Sequence, residues 1–202
     1  KLFKKHFENR KKIEINRFNN IELSNFKNIN DKLIIESKNF NSKKTVSFIK
    51  KHNPDLVLVF GSDLIKSPLL ENLPKNTINL HLGISPWYKG SATLFWPMYL
   101  LKPQYCGATF HKISQKIDGG DILHQCTPKL KLNQGIHDVG VETVFKATQD
   151  LLKILKSMKS LDQLKYIPQK SDGKIFFSNE FKPEHLLVIY ETYKNNIVNY
   201  YL

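Results

Sequence analysis

The segment DLVLVF at 55–60 constrains this chain more than any other stretch of it. It is a continuous β-branched and aromatic run, too short for a helix of average length, and it is closed by Pro54 and Gly61. That combination predicts a strand buried on both faces. A strand of this kind needs helices above and below its sheet, and the flanking sequence offers them. Ser42 reads as an N-cap, Val46 and Ile49 follow at helical spacing, and Asn53–Pro54 is a stop. After a turn at Leu73–Pro74, TINLH at 77–81 reads as a second strand. Helix, strand, short connection, strand is the order of an α/β domain with a mostly parallel sheet.

The rest of the chain extends this reading. DKLIIE at 32–37 is a weak strand candidate, and LGISPWYKGS at 82–91 has loop composition. A helix is expected over 92–101, kinked or limited by Pro97. GATFHKI at 107–113 and ILHQC at 122–126 read as strands around a loop, QKIDGGD, at 115–121. After Val139, the residues Val144, Ala147, Leu151 and Leu155 recur at steps of three and four, with Leu152 beside them, which predicts a long amphipathic helix over 136–158. The remainder holds a strand candidate, KIFF, and a helix after Pro183. The expected fold is a Rossmann-like, open, mostly parallel sheet flanked by helices. Residues 1–165 form the catalytic domain and 166–202 an extension packed on it. The first residue is not Met, and Leu2, Phe3, Phe7 and Phe18 are set among charges as in mid-helix. The chain therefore reads as a piece that has lost its N-terminal part.

Composition excludes several classes. No apolar run approaches the roughly 18–20 residues needed to span a bilayer, and no N-terminal segment reads as a signal peptide. Two cysteines, Cys106 and Cys126, are too few for a disulfide framework or a Cys-rich zinc site and point to a reducing cytoplasm. The net charge of +13 raises nucleic acid as a partner, but the lysines are scattered rather than gathered on one segment. A solvated surface accounts for them better than a phosphate-binding face.

Ligands of open parallel sheets bind beyond the C-terminal strand ends, so the loops at 61–67, 79–91 and 114–121 are where chemistry is sought. Asn79 and His81 stand two apart on one strand and project to the same face. Burying such a pair without partners is unfavourable, and it sits before a Gly/Pro loop. Asp118 lies in IDGGD, where paired glycines permit close backbone approach to a ligand; Asp121 is the second carboxylate to consider.

NLHLGISPWYKGS at 79–91, GATFHKI at 107–113 and IDGGDILHQ at 117–125 resemble the signature segments of the folate-dependent formyltransferase family. The family includes glycinamide ribonucleotide, methionyl-tRNA and nucleotide-sugar formyltransferases. The resemblance runs from about Asp55 to Gln125 and more weakly to residue 160, and the wording at 81–91 is most like the nucleotide-sugar branch. It implies transfer of a formyl group from N10-formyltetrahydrofolate to a primary amine, with Asn79, His81 and Asp118 catalytic and no metal. Asn79 and an imidazolium form of His81 would donate to the oxyanion, while Asp118 raises the His81 pKa and relays a proton. The implied pterin pocket comprises Leu64, Ile65, Ile84, Ser85, Pro86, Gln115, Lys116 and Ile117.

Lys89 and Gly90 are implied as weaker substrate contacts. Lys89 stands where many relatives place Arg, and a point charge directs a phosphate less well than a guanidinium fork. The segment before Asp55 shows no clear first strand with a glycine turn. The tail after Pro168 is shorter than the separate C-terminal domain of the tRNA branch. The expected acceptor is a nucleotide-linked amino sugar, in a cytoplasmic protein with no membrane partner and with a homodimer left open. The alternatives are methionyl-tRNA or glycinamide ribonucleotide as acceptor, and a non-catalytic folate- or nucleotide-binding relative.

Overall fold

A computed structural model describes residues 1–19 and 38–202; the strand candidate at 32–37 lies outside them. Helix α1 (Leu2–Phe18) precedes α2 (Lys43–His52). The start of α2 is as expected: the Ser42 hydroxyl accepts from the Thr45 N–H, and Asn53 closes the far end in a left-handed conformation. Strands β1 (Val57–Phe60), β2 (Thr77–His81), β4 (Ala108–Lys112) and β5 (Ile122–Cys126) form one sheet in the order β1-β2-β4-β5. The two-residue strands β3 (Lys89–Gly90) and β6 (Ile175–Phe176) pair with each other. Between these strands lie α3 (Phe95–Tyr99) and α4 (Ile136–Ser157), and after them α5 (His185–Leu187) and α6 (Ile197–Tyr201). Pro97 sits inside α3 and restricts it to a fraction of the expected span. No described helix is long and apolar enough to cross a membrane.

Two expectations are corrected. The main sheet is mixed rather than mostly parallel: β1 and β2 are parallel, whereas β2–β4 and β4–β5 are antiparallel. Short connections suffice for antiparallel neighbours, and the one between β4 and β5 is the IDGGD loop itself. Nor is β1 buried on both faces. It ends the described sheet, and Leu58 and Phe60 remain 50% and 55% exposed. Val59 meets α2 through Val46 and Ile49, whereas α4 lies over β4 and β5.

Each central strand divides its residues between two faces, as period-two geometry requires. Ile78, Ala108 and Phe110 turn one way and pack with Ala147 of α4. Asn79, His81, Thr109 and His111 share the opposite face, since Asn79 is opposite His111 and His81 opposite Thr109. The buried stripe of α4 runs through Val139, Thr143 and Ala147, and Leu152 falls outside it, exposed. A second core joins Tyr88, Phe95 and Trp96 to Phe176, Leu186 and Ile189, so residues beyond 165 share a core with those before it.

Candidate active site

The polar face of β2 and β4 forms part of the wall of a cavity of about 590 Å³. Asp118 folds back over that face from the β4–β5 loop. Because β4 runs antiparallel to β2, this loop starts near the N-terminal end of β2. The loop therefore reaches this cavity from an antiparallel strand, not from the C-terminal end of a parallel one. The Asp118 backbone is left-handed, with φ of 44°, and the carboxylate lies between two imidazoles. His81 Nδ1 is 3.4 Å from Oδ2, and His111 Nε2 is 3.4 Å from Oδ1. The Gly90 N–H donates to Oδ2 at 2.8 Å. Each ring has its other nitrogen fixed on a backbone carbonyl, His81 Nε2 on Tyr88 at 2.7 Å and His111 Nδ1 on Lys112 at 2.7 Å. Those anchors leave one nitrogen of each ring toward Asp118, and His111 Nε2 is also 3.1 Å from the Asn79 amide nitrogen. As a lone pair, His111 Nε2 accepts from Asn79; carrying a proton, it donates to Asp118.

Burial acts on both charges. It pulls the His81 pKa below the ordinary imidazole value, and the opposing pull of Asp118 and the Tyr88 carbonyl does not overcome it. The expectation that Asp118 raises the His81 pKa is thus half right: the attraction is present, but desolvation is larger. For Asp118 the balance reverses. Burial pushes the carboxyl up, yet the His111 hydrogen bond, the His81 charge and the Gly90 N–H together hold it below the usual carboxylate range. The site keeps an ionised carboxylate beside two imidazoles able to take or give a proton.

The sequence-derived residues divide clearly. Asn79, His81 and Asp118 come together, and Leu64, Ile65, Lys116, Ile117 and Gly90 line the same cavity. Ile84 and Ser85 are instead buried beneath it, where the Ser85 N–H donates to Thr109, while Gln115 is exposed and Pro86 is outside the lining. Lys89 is 3% exposed within β3 and also outside the lining, because β3 pairing turns the side chain inward. Asp121 pairs with Lys112 at 3.7 Å, away from the imidazoles. Gly120 serves packing rather than ligand approach, since an added Cβ would lie 1.9 Å from the Lys112 carbonyl oxygen.

His111 is the functional candidate that sequence reasoning missed. Its signal is the alternation that marks Asn79 and His81, here Thr109 followed by His111 on one strand face. Arg10 of α1 and the segment 175–178 also line the cavity, and nothing local in the sequence announces them. Away from the cavity, folding gathers His124, Cys126 and Asp150, whose ligand-type atoms lie within 4.8 Å of one another. In this cluster Asp150 already accepts from His124 at 3.1 Å and from Lys146 at 2.5 Å, which ties β5 to α4.

One wall of the cavity in this α/β sheet thus carries an amide, two anchored imidazoles and an ionised carboxylate. The chain belongs to the formyl transferase family, which residues 6–155 match. It is 26% identical over 163 residues to the bifunctional polymyxin resistance protein ArnA of Wigglesworthia glossinidia brevipalpis, covering 80% of this chain and 24% of that protein. It is 27% identical over 140 residues to the methionyl-tRNA formyltransferase of Finegoldia magna, covering 64% of this chain and 44% of that one. The chain thus spans less than half the length of either curated relative. The crystal structure of the formyltransferase PseJ from Anoxybacillus kamchatkensis, in complex with UDP-4,6-dideoxy-4-formamido-L-AltNAc and tetrahydrofolate, shares the fold. It matches at a TM-score of 0.59 and 20% identity over 81% of this chain and 80% of PseJ.

Proposed function

We propose that this protein transfers a formyl group from N10-formyltetrahydrofolate to a primary amine, and that Asn79, His81 and Asp118, joined by His111, carry the reaction. The supporting observation is the Asp118 carboxylate between two imidazoles whose remaining nitrogens are tied to backbone. Asn79 has two amide hydrogens; one is engaged with His111 Nε2, and the other, with no partner among the described residues, donates to the oxyanion that forms as the amine attacks. A donor of this kind is commonly worth about 3–4 kcal/mol in a water-excluded site. Asp118, acting with its imidazole partners, accepts the proton leaving the amine and returns a proton to N10 as the C–N10 bond breaks. The products are a formamide and tetrahydrofolate.

The cavity size lies within the usual range for small-ligand sites, ~300–1,000 Å³. In this reading Leu64, Ile65 and Ile117 face the pterin, while Lys116 contributes a polar edge. Residues 1–165 and the extension at 166–202 act as one catalytic unit in the cytoplasm. The acceptor is a nucleotide-linked amino sugar. PseJ, matched over four-fifths of both chains, is a relative with a UDP-linked formamido sugar bound, and Arg10, whose Nε is paired with Glu14 at 2.7 Å, is a cation on the cavity lining. Methionyl-tRNA is the second reading, favoured by curated relatives such as the Finegoldia magna protein.

Incubation with labelled N10-formyltetrahydrofolate and separate UDP-amino-sugar, glycinamide ribonucleotide and methionyl-tRNA acceptors tests the proposal. Label is expected in the sugar amide, with a shallow salt dependence; a steep one would favour tRNA. Asn79→Ala and His81→Ala should each reduce turnover about 10²–10³-fold with little change in melting temperature. Loss of folding without a separate loss of turnover would remove the catalytic reading and leave a binding protein.

A further inference from the structure

Residues 166–177, beyond the family match, form a strap that crosses both loops of the site. Ile167 exchanges two backbone hydrogen bonds with Ile122, each 2.8 Å. Two residues on, the Gln169 side-chain amide donates to the Asp118 carbonyl at 2.8 Å and to the Gly120 carbonyl at 2.7 Å. The strap then reaches the other loop. The Lys174 N–H donates to the Pro86 carbonyl at 3.2 Å, the Lys89 N–H to the Lys174 carbonyl at 3.1 Å, and the Ser91 N–H to the Phe176 carbonyl at 2.8 Å. Gly90 lies inside this pairing with φ of 89°, and an added Cβ there would be 2.2 Å from the Phe176 carbonyl oxygen. One segment therefore holds the backbone of Asp118 and also the strand whose N–H holds its carboxylate.

We infer that Gln169 is a positioning residue for Asp118, fixing the left-handed turn that brings the carboxylate between His81 and His111. The inference rests on the catalytic reading of Asp118 given above. A left-handed conformation is uncommon for a residue with a Cβ and needs its surroundings to enforce it. Both hydrogens of the Gln169 amide are spent on carbonyls two residues apart, which sets the curvature of the turn. At 3.4 Å from each imidazole the carboxylate has no slack. A relaxed turn would lose contact with at least one ring. Glutamine is suited to this because its amide supplies two donors with no charge beside the carboxylate.

The test compares the full chain with Gln169→Ala, Gln169→Glu and Asp118→Asn. Histidine imidazole titration is followed by NMR, and turnover is measured with N10-formyltetrahydrofolate and a UDP-linked 4-amino-4,6-dideoxyhexose. Gln169→Ala should shift the His81 titration downward, toward that of Asp118→Asn, because the carboxylate no longer supports the imidazolium. It should also reduce kcat about tenfold, with KM for both substrates changing less than twofold. Gln169→Glu, isosteric but unable to donate when ionised, should lose more activity and regain part of it as the pH falls toward the carboxylic acid range.

Wild-type titration and kcat in both Gln169 variants overturn the inference, as does a lowered melting temperature with unchanged His81 titration. If Asp118→Asn retains full turnover, or the wild type has none, it is the catalytic reading that fails, and the NMR shift still decides the role of Gln169.

Discussion

His81 and His111 face one carboxylate on the cavity wall; His6 and His137 face one phenol in the core. In the second cluster His6 Nδ1 is 2.8 Å from the Tyr190 hydroxyl, which is 3.2 Å from His137 Nε2, and the two rings lie 4.5 Å apart. Burial is the largest cause lowering His6, His137 and His81 alike, and Arg10 presses the two core residues down further, to about 4 each. The clusters part at the third group. Tyr190, itself pushed up to about 12 by burial, offers a neutral hydroxyl that joins two neutral rings. Asp118 offers a charge that rewards protonation of its neighbours, and it does so where a ligand can reach. None of His6, His137 and Tyr190 is on the cavity lining. Burial of a histidine therefore says little about chemistry until its partner and its access are known.

The largest effect should come from removing that distinguishing charge. Asp118→Asn is expected to lower turnover about 10³-fold while His6→Phe leaves it within twofold, measured by steady-state kinetics. Equal losses from the two would collapse the contrast.

Next is a pH effect on folding to which the core pair contributes. Their folded pKa values are depressed, so the unfolded chain binds more protons between pH 6.5 and about 4. Stability is full above the upper limit and declines as the pH falls through that window. Urea unfolding across this range should show the decline. A His6→Phe, His137→Phe double variant should reduce it, with His81, also depressed, leaving a slope of the same sign.

The smallest effect sharpens the role of the phenol. Tyr190→Phe should destabilise by about 1 kcal/mol and leave turnover unchanged, whereas a large kinetic defect would place the core cluster in the catalytic apparatus.

Much of this architecture is local and was readable as such. Ser42, Asn53 and the spacing of Val46 and Ile49 specify α2 through capping and periodicity, which depend on neighbours a few residues away. The alternation in TINLH likewise puts Asn79 and His81 on one face whatever lies beside them. The mixed sheet was not readable, because strand direction is set by which strands pair and not by their composition. β1 misled for the same reason: an apolar run shows what can be buried, and only the packing of other elements on it shows what is. The inward turn of Lys89 depends on pairing with Ile175, which is distant in the sequence.

What the sequence determined by itself was most of the elements, and the shared strand face of Asn79 and His81, through short-range rules of capping, period and turn. The tertiary structure alone showed Asp118 between two imidazoles and Asp121 on Lys112, brought His111 beside Asn79, and carried Gln169 to the Asp118 backbone and Arg10 to the cavity lining. Those outcomes depend on distances of a few ångströms between segments far apart in the chain, and a linear pattern carries no record of them.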